Sequence, residues 1–124
     1  MVINTCISGN QNMTPALESI FGNRTAARTL LFLQSYGEGY AKRVADTFEV
    51  STNLVQSQLR RLEDSGVLVS REVGRTRVFT WNPRSATVRN LRDFLESELK
   101  LLPDDVTKKY FRQRQRPRRS GKPI

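Results

Sequence analysis

The chain of 124 residues has no histidine and one cysteine, Cys6. Without histidine, Ser-His-Asp and Cys-His catalysis are excluded. A tetrahedral zinc site usually needs several Cys or His ligands, so metal sensing of that kind is not expected. Carboxylates alone suit magnesium or calcium, but no spaced Asp/Glu cluster occurs. One cysteine cannot form an internal disulfide, which fits a reducing cytoplasm. Cys6 reads as an incidental thiol of a polar N-terminus, with thiol sensing as the alternative. No stretch approaches the ~20 apolar residues of a membrane span. The N-terminus lacks the pattern of a secretory signal, and no glycine-rich phosphate loop is present. The expectation is a protein that is not an enzyme and carries no metal or cofactor.

Acidic residues are also missing from one region. The chain has 21 Lys and Arg against 12 Asp and Glu, a net charge of +9. From Val106 onward there are eight Lys or Arg and no acid, which leaves 13 basic against 12 acidic residues elsewhere. The body is nearly neutral and the C-terminus carries the charge. With Pro117, Ser120, Gly121 and Pro123 among its cations, residues 104–124 read as a basic, disordered tail suited to phosphates. An acidic partner protein is the other chemistry such a tail fits. An anionic membrane ranks last, because Tyr110 and Phe111 are its only large apolar groups. Residues 1–13 are read as a loose N-terminus and 14–103 as one domain, a size that supports a small core.

What is present is an ordered run of elements. Residues 40–48 place Ala41, Val44, Ala45 and Phe48 at i, i+3, i+4 and i+7, one face of a helix. Ser51 or Thr52 can cap a second helix to Asp64 or Ser65, stopped by Gly66. Its apolar stripe is Val55, Leu59 and Leu62. Its other face offers Thr52, Asn53, Gln56, Ser57 and Arg60. Asn, Gln and Arg are the side chains that read base edges in the major groove, and Ser, Thr and Arg hold phosphates. The competing reading is an ordinary solvated face. Residues 67–73 and 77–81 are β-formers around Gly74-Arg75-Thr76, a hairpin signal. Arg75 at the tip and Arg77 beside it are placed for a DNA backbone or minor groove; otherwise they solubilise an edge. Phe79 and Trp81 are expected as core anchors.

Upstream, Thr14 and Pro15 open a short helix, and residues 23–35 a longer one with Ala27, Leu30, Leu31 and Leu33 inside. After Asn82-Pro83, Ser85 caps a long helix to Leu102, closed by Pro103. Its stripe of Val88, Leu91, Leu95, Leu99 and Leu102 is longer than a small domain needs, and is expected to be a dimer seam. On that reading Leu95→Glu yields monomer, and a chain cut after Pro103 stays folded. The alternative is that the stripe closes the core.

The order helix, turn, helix, hairpin is that of a winged helix-turn-helix. Residues 50–68, with the Ser51 cap, Val55 and Leu59 four apart, Leu62, and Gly66 before Val67-Leu68, resemble the recognition helix of ArsR-like and MarR-like winged-helix regulators. Residues 21–33 are similar to the first helix of ArsR-like proteins, and the wing at 74–79 fits. The resemblance covers about residues 19–102. It implies a homodimeric, sequence-specific transcription regulator of prokaryotic type, whose terminal helix packs against its twin. Members that sense metals carry Cys and His ligands that this chain lacks. The expected fold is mainly α with a small β-hairpin, a winged helix-turn-helix with a C-terminal dimerisation helix. The expected function is a dimeric repressor on double-stranded DNA, cytoplasmic and nucleoid-associated. The alternatives are a winged-helix protein-interaction module and an architectural or RNA-associated protein using the basic tail.

Overall fold

A computed structural model describes residues 15–111. Helix α1 spans Pro15–Phe21 and α2 spans Arg24–Tyr36. A two-residue strand, β1 (Glu38–Gly39), leads to α3 (Ala41–Phe48) and α4 (Thr52–Asp64). Strands β2 (Leu68–Val73) and β3 (Thr76–Trp81) follow, then α5 (Ala86–Leu101) and the short α6 (Asp104–Val106). The last described turn, Thr107–Phe111, is π-helical. The expected Cys6, Thr14 cap and loose N-terminus lie outside the described residues.

The core is built around α2. Asn23 caps it, its Oδ1 accepting the Ala26 amide at 2.7 Å, and Gly37 ends it with φ 87°. All eight residues from Ala26 to Leu33 are buried. A helix buried all round must be covered on several sides, and here α1, α3, α4 and α5 share its cluster. Arg28 and Thr29 are the buried polar residues of that set.

The hairpin was expected; the third strand was not. β1 pairs antiparallel with β3, giving the order β1-β3-β2. A strand of two residues leaves no period to read, and Gly37 before it and Gly39 within it read as breakers. Gly39 is buried, and a Cβ there would lie 2.8 Å from the Phe32 ring, so a larger residue would crowd that ring. Phe79 and Trp81 are buried as expected. Val78, expected on the opposite side of β3, is buried too.

Two expectations fail at the C-terminus. Val88, Leu95 and Leu102 point into the protein's own core, at 2%, 0% and 8% exposure, and Leu91 and Leu99 pack half-buried against it. Most of the stripe read as a dimer seam is therefore spent on covering α2. The chain also does not end its packing at Pro103. Residues 104–111 are helical and bury Phe111 beside Phe48, ring centroids 5.9 Å apart. Ser35 and Tyr36 donate hydroxyl hydrogen bonds to the Phe111 and Tyr110 carbonyls, at 2.7 and 2.8 Å. Two aromatic residues are enough to hold one helical turn, although they leave no repeat in the sequence. The rest of the basic tail, residues 112–124, lies outside the described residues.

Among the described residues, one non-glycine backbone position carries strain. Glu49, between α3 and α4, sits in the left-handed region at φ 58°, ψ 48°. A side chain there costs about 1–2 kcal/mol relative to glycine, partly offset by glycine's greater freedom when unfolded. Glu49→Gly should therefore stabilise the protein by about 0.5–1 kcal/mol, raising its melting temperature by a few degrees. A lower melting temperature in calorimetry would contradict this.

Candidate nucleic-acid interface

Helix α4 starts where its residues say it should. Ser51 is the N-cap, and its hydroxyl accepts the Asn53 amide at 3.1 Å. It ends in a Schellman turn. The Gly66 amide donates to the Glu63 carbonyl at 3.0 Å and the Val67 amide to the Leu62 carbonyl at 2.9 Å, with Gly66 at φ 87°. Both ends being fixed, the rotation of the helix is set by its buried stripe, Val55, Leu59 and Leu62. That rotation turns Thr52, Asn53, Ser57 and Arg60 fully outward, with Gln56 half-exposed among them.

None of those five side chains is engaged by hydrogen bonds or ion pairs among the described residues. Their neighbours differ. The Arg61 guanidinium donates twice to the Gln58 amide oxygen, at 3.1 and 2.9 Å. The face therefore keeps one cation, two hydroxyls and two carboxamides available at and beyond the first turn, where a recognition helix meets base edges.

The wing is pinned to this helix rather than hanging from it. Gly74 opens a two-residue turn at φ 64°, as a tight hairpin requires. Arg75 at the tip is exposed and has no partner among the described residues. Arg77 behaves differently. It bridges Glu72 across the hairpin at 3.1 Å and donates to the Ser70 hydroxyl at 3.0 Å. Ser70 in turn donates to the Glu63 carboxylate on α4 at 2.6 Å. Arg77 is thus held in the hairpin, so Arg75 is the freer of the two expected wing contacts. Asn82 adds a second tie, its amide group donating to the Gly66 carbonyl at 2.8 Å. Sequence reading missed Glu63, Ser70 and Asn82, because their roles depend on contacts between elements. Arg71 pairs with Glu38 of β1 at 3.0 Å.

Among the described residues no three His, Cys, Asp or Glu gather as metal ligands would, and no helix is long and apolar enough to cross a membrane.

An exposed polar helix beside an arginine-tipped hairpin, on a mainly helical body with a three-stranded antiparallel sheet, is the arrangement of a winged helix-turn-helix fold. No protein-family model and no curated protein matches the sequence. Solved structures do match. Reduced HlyU from Vibrio cholerae superposes with a TM-score of 0.53 at 17% identity, over 74% of this chain and 94% of that one. Reduced AbfR bound to DNA gives 0.51 at 22% identity, over 77% and 70%. The homodimeric winged helix-turn-helix DNA-binding domain Mb0332 from Mycobacterium bovis gives 0.48 at 14%, over 81% and 91%. At these identities the likeness to HlyU and AbfR is one of fold alone.

Proposed function

We propose that this protein is a sequence-specific regulator of transcription, a dimeric repressor that lays α4 in the major groove of its operator on the bacterial-type chromosome. The observation that carries the reading is the outward face of α4: Thr52, Asn53, Gln56, Ser57 and Arg60 are exposed or half-exposed and engage nothing else among the described residues. In the DNA complex Asn53 and Gln56 read bases, Thr52, Ser57 and Arg60 hold phosphates, and Arg75 acts from the wing tip with Arg77 behind it. AbfR, which shares the fold, has been solved on DNA.

Gln56→Ala should weaken operator binding by about 1–3 kcal/mol and relax base preference at one position of each half-site. Equal losses on operator and random duplex, measured by fluorescence anisotropy, would reduce Gln56 to a backbone contact. No preference among selected genomic fragments in the parent protein would overturn the whole reading in favour of a protein-interaction module.

Two half-sites about one helical turn apart need two copies of α4. With Val88, Leu95 and Leu102 in the core, the apolar groups that α5 still presents are Phe94 and Leu101, 38% and 76% exposed and seven residues apart on one face. We place the pairing surface there, flanked by the half-buried Leu91. Leu101→Glu should leave the fold intact and shift the protein to monomer in sedimentation; an unchanged dimer would move the surface elsewhere.

A further inference from the structure

Helix α4 carries four large apolar side chains. Val55, Leu59 and Leu62 are buried, whereas Leu54 stands 54% exposed in the first turn. A lone exposed leucine is ordinary on a protein surface. This one adjoins Asn53, on the part of the helix that the proposed function lays in the major groove. We propose that Leu54 is a specificity-determining residue that reads the 5-methyl group of a thymine in that groove. The inference rests on the DNA-binding reading and adds to it a second kind of readout, apolar where Asn53 and Gln56 are polar.

The rotation of α4 places Leu54 for this. At 3.6 residues per turn, successive side chains project about 100° apart. Leu54 and Gln56 lie one residue to either side of the fully buried Val55, so they project from opposite flanks of the helix. Asn53, Ser57 and Arg60 lie between them on the outward face. The Gln56 flank is the wing side, since Glu63, two turns further on, accepts the Ser70 hydroxyl of β2 at 2.6 Å. The Leu54 flank faces away from the wing. Further along it, the Arg61 guanidinium is hydrogen-bonded to Gln58 at 3.1 and 2.9 Å. Near its start, that flank presents an isobutyl group.

The chemistry of the groove names what that group would meet. A helix with its side chains is about 10–12 Å across and the major groove about 12 Å wide, so the flanks of a docked helix come close to both sides of the groove. Phosphates on those sides take cations and hydroxyls, and Leu54 is neither. Among the four bases the one apolar group shown in the major groove is the thymine C5-methyl. It stands at the side of the groove floor, next to the backbone of its own strand. Contact with Leu54 removes both groups from water and leaves no hydrogen-bonding group unpaired. Cytosine would offer an amino donor instead, and leucine has nothing to accept it.

The test uses the full chain. Duplex DNA is selected from a random library, and the enriched operator is resynthesised with deoxyuridine in place of thymine, one position at a time. Each change deletes a methyl group and keeps every hydrogen bond of the base pair. Burial of one such carbon corresponds to roughly fourfold in affinity. Uracil at the thymine that Leu54 meets should therefore weaken binding by the parent protein about fourfold per half-site. Leu54→Ala, at an exposed position where alanine suits a helix, should keep the parent's melting temperature and bind the thymine and uracil operators equally. Leu54→Met, still apolar and of similar reach, should retain the preference, as should Gln56→Ala. Failure to enrich any sequence would overturn the DNA-binding reading and this inference together. An enriched operator indifferent to uracil at every position, or a uracil effect that persists unchanged in Leu54→Ala, would overturn this inference alone.

Discussion

Leu95→Glu is expected to abolish the folded state, not to split a dimer. Leu95 is fully buried between α5 and the central helix cluster. Deleting a buried leucine side chain costs about 2–5 kcal/mol on its own. A carboxyl group placed there meets no partner and adds several kcal/mol more, whether it ionises or takes up a proton. The total rivals the whole stability of a small domain, about 5–15 kcal/mol. Circular dichroism should show no cooperative melt near that of the parent. A variant melting within about 5 °C of the parent would mean that Leu95 is not part of the core. The contrast with Leu101→Glu is informative, because the two positions lie six residues apart on one helix and differ in exposure from 0% to 76%.

Cutting the basic tail should have two different results depending on where the cut falls. After Phe111, the six cations Arg112, Arg114, Arg116, Arg118, Arg119 and Lys122 are lost and the described fold is kept whole. If each holds a phosphate, the slope of log affinity against log salt should fall by roughly 0.9 per contact, and by about 5 if all six engage. Operator and random DNA should weaken by similar factors, since phosphate contacts carry no base information. An unchanged salt slope would assign the tail to an acidic protein partner. After Pro103, the cut also removes Tyr110 and Phe111. Phe111 is 4% exposed, and both rings pack on Phe48. Removing a buried phenylalanine costs about 3–5 kcal/mol. That shorter chain should melt far below the one ending at Phe111. Equal melting temperatures for the two chains would show that the aromatic anchor contributes nothing.

Much of this protein was legible along the chain, because short-range rules wrote it. The Ser51 cap, the stripe Val55–Leu59–Leu62 and the stop at Gly66 specify where α4 begins, which way it faces and where it ends. Once the buried face is known, the outward placement of Asn53, Gln56 and Arg60 follows from 3.6 residues per turn. Gly74 between two runs of β-formers specified the wing. The absence of histidine and the charge of the tail are properties of composition alone.

What tertiary structure decided has a common cause: an apolar stripe says that it will be covered, and not by what. Val88, Leu95 and Leu102 would look the same whether they faced a second copy or α2, and only the packing around α2 claims them for the chain's own core. Phe111 at the start of a charge run has no periodic company, so its burial depends on the pocket that Phe48 and Tyr110 make for it. β1 is two residues long and exists because β3 offers it a free edge. Arg77, equal to Arg75 in the sequence, is separated from it by Glu72, Ser70 and Glu63, which come together only when the hairpin folds onto α4.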